Sequence, residues 1–210
     1  MMKLIGMVMM CMLSFGAIAA PQYIQHRPLD QRISTPVSNV SSSTDQLPII
    51  TWGGDIATIF GNGNQRSTAK GSIFDKHGLK FKLVREDVFA NQVKNYLSGK
   101  TPYLRGTLGM INSASDLLSK NSKTKPVVFY QMTWSAGGDA LVVKSSVKKV
   151  KDLKGKTIAL QADGPHVDYL ARILGDAGLT VNDIAIKWLP DLTGTDNSPM
   201  AAFYENGIDA

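Results

Sequence analysis

The sequence predicts an α/β protein. The clearest sign is residues 151–179, KDLKGKTIALQADGPHVDYLARILGDAGL, which read as a strand, a Gly/Pro turn and a helix. The second is a set of apolar residues, Val167, Leu170, Ala171 and Leu174, at the i, i+3, i+4, i+7 spacing of one helix face. The third is a series of strand signals at Ile49–Trp52, Lys80–Val84, Val127–Tyr130 and Ile184–Trp188, separated by helical or Gly-rich stretches.

The elements follow in order. Lys3, the apolar run Leu4–Phe15 and Ala17-Ile18-Ala19 have the three parts of an export signal, so residues 1–19 read as a signal peptide cleaved before Ala20. The run is too short for a comfortable membrane span. Cys11 lies inside it, after Met10 and before Met12-Leu13, which does not fit a lipid-anchor cysteine. Export places the mature chain in the periplasm, without cysteine and so without disulfides or a thiol nucleophile. The full chain carries +6, and loss of Lys3 leaves +5. That charge is mixed along the chain, with no aromatic–basic interleaving of the kind that binds nucleic acid.

Residues 20–47 are poor in apolar residues and carry Pro21, Pro28, Pro36 and a Ser-rich tract, which predicts a flexible linker in which His26 is solvated. The globular part starts near Pro48. Ile49–Trp52 is a strand, followed by Gly53-Gly54-Asp55. Gly allows close backbone approach to a ligand, and Trp52 is either an apolar wall beside it or a core residue. Ser72–His77 is a short helix closed by Gly78 and Leu79. Lys80–Val84 alternates as a strand. A helix then carries Phe89, Val93, Tyr96 and Leu97, with Asp87 as its cap and Gly99 at its end. Residues 107–119 read as helical.

Val127–Tyr130 reads as a strand and Gln131–Gly138 as a polar segment lining a cleft. Ala140–Lys144 follows as a crossover. Lys148, Lys149, Lys151, Lys154 and Lys156 form a basic run, either a docking face or a solvated loop. Thr157–Leu160 is a strand, and Pro165–Ala177 a helix with Pro at its start and Gly178 past its end. Ile184–Trp188 is a strand and Pro199–Glu205 a short helix.

Several segments together resemble a known family. They are Gly71–Leu79 (GSIFDKHGL), Pro126–Tyr130 with Gly137–Val143, Asp152–Lys156 (DLKGK) with its strand, turn and helix to Leu179, and Phe203–Ala210 (FYENGIDA). In order and spacing they are similar to the solute-binding proteins of ABC importers for nitrate, sulfonates, bicarbonate and thiamine precursors. The resemblance implies a periplasmic-binding-protein-like type II fold, two lobes of mixed sheet flanked by helices. Residues 48–142 would form the first lobe and 143–210 a second, incomplete lobe, since such proteins continue beyond the step matched by Asp209-Ala210. It also implies a small solute held between the lobes, delivery to a permease in the inner membrane, and no cofactor, metal or catalytic residue.

By the same resemblance the ligand contacts fall on three loops: Trp52, Gly53, Gly54 and Asp55; Ser135, Gly137 and Gly138; and Asp163, Gly164 and His166. Where the family has an acidic residue after its Ser-Gly step, this chain has Thr101-Pro102-Tyr103 and then Arg105. Arg105 is either a bidentate donor to an acidic ligand or a solvated arginine. Asp163 beside a helix start either favours a cationic or zwitterionic ligand or caps the helix. His166 is either a neutral donor to the ligand or a surface residue.

Other chemistry fails on spacing. Gly155-Lys156-Thr157 is no phosphate loop, because Val150 stands where its first Gly belongs and the strand follows rather than precedes it. Trp134-Ser135-Ala136-Gly137 lacks the first Gly of a nucleophile elbow, since Thr133 is there. His26, His77 and His166 have no metal-ligand spacing. The sequence therefore favours a receptor. An envelope interaction module with a vestigial cleft is the alternative, and an enzyme on the same fold, related to thiamine-pyrimidine synthesis, is a more distant one.

Overall fold

The computed structural model describes residues 20–39 and 45–210. The signal-peptide reading of residues 1–19 lies outside the described residues, as do residues 40–44 of the expected linker. In chain order the elements are α1 (Leu29–Arg32), β1 (Gln46–Ile49), α2 (Ile56–Gly61), α3 (Ile73–Lys76), β2 (Lys82–Arg85), α4 (Phe89–Leu97), α5 (Leu108–Ser113), α6 (Ser115–Ser119), β3 (Thr157–Gln161), α7 (His166–Asp176), β4 (Ala185–Leu189) and α8 (Pro199–Ala202).

The architecture is mixed α/β with two small parallel sheets. Strand β1 pairs with β2, Leu47 opposite Leu83, and β3 pairs with β4, Leu160 opposite Trp188. Each sheet gains one antiparallel bridge, Ser67 with Lys82 and Ile24 with Trp188. Strand β3 also uses its other edge. Asp209 N–H donates to the Thr157 carbonyl and Ala159 N–H to the Ala210 carbonyl, each at 2.8 Å, so residues 209–210 run beside it.

Each half has its own core. In the N-terminal half Phe89, Val93 and Leu97 on α4 pack with Met110, Ala114 and Leu118. In the C-terminal half Leu170 and Leu174 of α7 cover Ile158 and Leu160 of β3, joined by Val147 and Leu153. The predicted face of α7 is thus the one that packs. Gly178 closes the helix at φ 74°, a left-handed angle that favours glycine, and Leu179 N–H reaches the Leu174 carbonyl at 2.8 Å.

Some sequence expectations change. Residues 20–39 are not a loose linker. Leu29 and Ile33 are buried in the N-terminal core, while Tyr23 and Ile24 pack on the other half. Few apolar residues suffice because each falls on a different existing core, a match that composition cannot show. His26 is correspondingly not solvated but stacks on Trp188.

Val127–Tyr130 does not form a strand. All four side chains are at least 65 % exposed, and the backbone of residues 126–140 makes no backbone hydrogen bond among the described residues. Strand propensity gives no strand without a neighbour to pair with. The expected helix over 107–119 is broken at Ala114 into α5 and α6, and Val88 rather than Asp87 precedes α4. Asp87 instead accepts from the backbone N–H and the hydroxyl of Thr51.

Candidate functional site

All four strands aim their C-terminal ends at one cavity of about 120 Å³. Ile50, Thr51 and Trp52 follow β1, Asp87 follows β2, Gln161 and then Pro165 and His166 end and follow β3, and Leu192 follows β4. Met110 of α5 and Asp139 of the segment between the halves complete the lining. In parallel α/β sheets the strand ends are where side chains and helix N-termini converge, and ligands bind there.

The polar groups are fixed by local structure. Asp139 meets His166 Nε2 at 3.2 Å and accepts from the Ser135 hydroxyl, and its carbonyl accepts from the Tyr169 hydroxyl at 3.4 Å. Gln161 is 3 % exposed, and its amide Nε2 spans to the carbonyls of Asp87 (3.4 Å) and Pro190 (3.3 Å). The lining holds two carboxylates, an imidazole, an amide, a hydroxyl and an indole, with no lysine or arginine. It offers acceptors and an aromatic face, which suits a solute bearing N–H or O–H donors or a positive charge.

The residues expected to touch a ligand divide. Trp52 and His166 line the cavity. Gly53, Gly54 and Asp55 form a single 3-10 turn. Asp55 is 1 % exposed and serves the interior: its Oδ2 accepts from Ile50 N–H at 3.1 Å and its Oδ1 from Arg105 Nε at 2.9 Å. Gly54 lies so close to Thr133 that an added Cβ would stand 2.6 Å from the Thr133 methyl. Ser135, Gly137 and Gly138 are exposed and do not line the cavity, though Ser135 supports Asp139, which does.

Asp163 neither caps α7 nor faces the cavity. No side-chain cap bond is made at that helix start, and Asp163 sits at φ 56°, a left-handed angle. Its carboxylate meets His26 Nε2 at 3.1 Å and accepts from Arg32. Gly164 is buried against Gln161, where a Cβ would fall 2.4 Å from Oε1, so glycine holds the turn that presents Gln161 and His166.

Sequence reasoning missed Thr51, Asp87, Met110, Asp139, Gln161 and Leu192. A usable signal existed for Thr51, Asp87 and Gln161, since each falls within two residues of a strand's C-terminal end. Arg105 is a further correction. It is neither solvated nor in the cavity lining but largely covered by the 52–55 turn, its side chain 11 % exposed and its guanidinium 5.4 Å from the Trp52 ring centroid.

A larger groove of about 420 Å³ lies over α7 and β4, lined by Leu160, Val167, Leu170, Val181, Ile186 and Trp188. Its walls are apolar side chains with no convergent polar groups, so the smaller cavity is the better candidate. Among the described residues no cluster of three or more His, Cys, Asp or Glu side chains is placed to hold a metal. Among the same residues no helix is long and apolar enough to cross a membrane.

Comparison with protein-family models, with curated proteins and with solved structures finds no match to this chain. The resemblance to solute-binding proteins therefore rests on the sequence segments themselves.

Proposed function

We propose that this protein is the periplasmic solute-binding component of an ABC importer. It captures one small solute in the cavity between its halves and hands it to a permease in the inner membrane. The observation that carries the reading is the convergence of four parallel strand ends, from two separate sheets, on one polar cavity. Nothing in that arrangement requires catalysis.

The lining narrows the solute. Arg85 meets Asp87 at 3.1 Å from outside the lining, so Asp139 is the carboxylate that disfavours nitrate, bicarbonate or a sulfonate, in a lining without lysine or arginine. A donor-bearing planar solute of the thiamine-precursor kind fits better. Its amino groups would donate to Asp139 and Gln161, and its ring would lie on Trp52. The cavity volume, about 120 Å³, is on the scale that holds one benzene-sized ring.

Thermal-shift measurements on the full chain with aminopyrimidines, small amines, nitrate and sulfonates test this. A ligand that binds only the folded state raises the melting temperature by mass action. The reading expects a saturable shift with a donor-bearing solute and none with the anions. Absence of a shift across all four classes would overturn it.

One observation favours a second reading, an envelope interaction module. Val127, Val128, Phe129, Tyr130 and Trp134 are all strongly exposed in one segment, and such patches mark contact surfaces. Pull-down of an envelope protein that is lost on Phe129→Ser, together with an empty solute screen, would support it over the receptor reading.

A further inference from the structure

Between residues 45–125 and 141–210 the described residues make one direct hydrogen bond, from Gln161 Nε2 to the Asp87 carbonyl at 3.4 Å. That is too weak to hold two halves in register. Residues 22–33 make the connection instead. Their first part belongs to the C-terminal half. Gln22 N–H donates to Asn197 Oδ1 at 2.8 Å, the Tyr23 hydroxyl to Glu205, and Ile24 N–H to the Trp188 carbonyl at 2.9 Å. The His26 ring stacks on Trp188 with centroids 4.3 Å apart. Their second part belongs to the N-terminal half, where Leu29 and Ile33 are 2 % and 5 % exposed in the core with Phe89 and Leu118.

The two parts meet at Asp163. Arg32 reaches from α1 to the Asp163 carboxylate, which His26 also touches. Asp163 opens the turn that places Pro165 and His166 in the cavity wall. We infer that residues 22–33 are a strap that fastens the two halves to each other at Asp163 and restrains opening of the cavity. The contacts concern this chain alone, so the inference does not depend on what the cavity binds.

The strap makes the closed arrangement the resting one. A rigid-body opening separates Asp163 from Arg32 or pulls Leu29 and Ile33 from their core, and either is costly. Exchange through the cavity then requires the ion pair to part first, with the apolar anchors left in place.

The test is a distance measurement across the halves by electron spin resonance. Spin labels go on Ser119→Cys in α6 and Arg172→Cys in α7, both exposed, in the full chain carrying Cys11→Ser. The parent should show one narrow distance distribution. The double variant His26→Ala/Arg32→Ala should lose that single peak and shift to longer distances. A second protein carries Arg32→Gln and a protease site inserted between Arg27 and Pro28, and is cut after folding, which breaks both the covalent link and the ion pair between the halves while His26, Leu29 and Ile33 stay in place. It should broaden in the same direction. The inference is overturned if the variant keeps the parent's distribution or, should the variant not fold, if the cut protein keeps it.

Discussion

Arg105 donates its Nε to Asp55 Oδ1 at 2.9 Å, and the carboxylate it meets is 1 % exposed. A pair this deep is held by mutual neutralisation, and the same Asp55 also anchors the backbone at Ile50. The 52–55 turn that carries Trp52 into the cavity therefore depends on a residue fifty positions away in sequence.

Breaking that pair strands a buried charge. Asp55→Ala leaves the guanidinium without its carboxylate, and its Nη2 already has no partner. The expected loss is about 3–5 kcal/mol, the usual cost of removing one member of a buried ion pair. Urea melts of the parent, Asp55→Ala and Asp55→Ala/Arg105→Met check it. The double variant should recover part of the loss, because it removes the orphaned charge.

Asn62 is a second interior polar anchor. It is 0 % exposed, its Nδ2 donates to the Gln65 carbonyl at 2.8 Å, and its Oδ1 accepts from the Thr68 hydroxyl at 2.7 Å. Asn62→Leu unpairs both partners and should destabilise by about 2 kcal/mol. Asn62→Asp keeps the acceptor for Thr68 but turns a buried carboxylate towards the Gln65 carbonyl, so it should cost at least as much as Asn62→Leu in the same melts.

Two glycines should respond oppositely to alanine. Gly63 has φ 78°, and a Cβ there would stand 2.6 Å from the Ala69 Cβ, so Gly63→Ala should cost at least about 1–2 kcal/mol. Gly109 looks worse, with a Cβ position 1.2 Å from Asp168 Oδ2. That atom ends an exposed, flexible side chain that can swing away, and alanine favours the helix. Gly109→Ala should stay within about 1 kcal/mol of the parent. Thermal melts of the two variants side by side separate these outcomes.

Tyr23 supplies an alkaline limit. Burial, then its hydrogen bond to the Glu205 carboxylate and the charge of that group, push its hydroxyl from 10.0 up to about 12. The folded chain holds that proton more tightly than the unfolded chain. Its stabilising contribution is therefore complete below pH 10 and lost as pH rises towards about 12. Stability measured across that window should fall more steeply for the parent than for Tyr23→Phe.

The local grammar of the fold was legible in the sequence. The Val167–Leu174 stripe and Gly178 placed α7 within a residue of its ends, because period and cap chemistry are local. Ser72 and Gly78 bounded α3 for the same reason. What escaped were residues whose partners lie far along the chain. Tyr23, His26 and Leu29 sit in a Pro- and Ser-rich stretch with the composition of a linker, yet each meets a surface more than fifty residues away. Asp163 had every local mark of a helix cap, but Arg32, 131 residues earlier, claims its carboxylate. Val127–Tyr130 failed in the other direction: its propensity was real, and no strand stood beside it. At the cavity, Trp52 and His166 are legible from their positions shortly after β1 and β3, whereas Asp139 follows Gly137-Gly138 in a segment without secondary structure and carries no local mark.

Isothermal titration of the full chain with an aminopyrimidine, repeated with His166→Ala and Asp139→Asn, tests directly whether the cavity binds a solute. Both variants alter the cavity wall at groups that are only partly buried, so the fold should persist. A solute-binding cavity gives one saturable site in the parent, binding weakened at least about tenfold by each variant, a loss of about 1.4 kcal/mol, and no binding of nitrate or a sulfonate. Binding that survives unchanged in both variants, or an anion that binds while donor-bearing solutes do not, would contradict it.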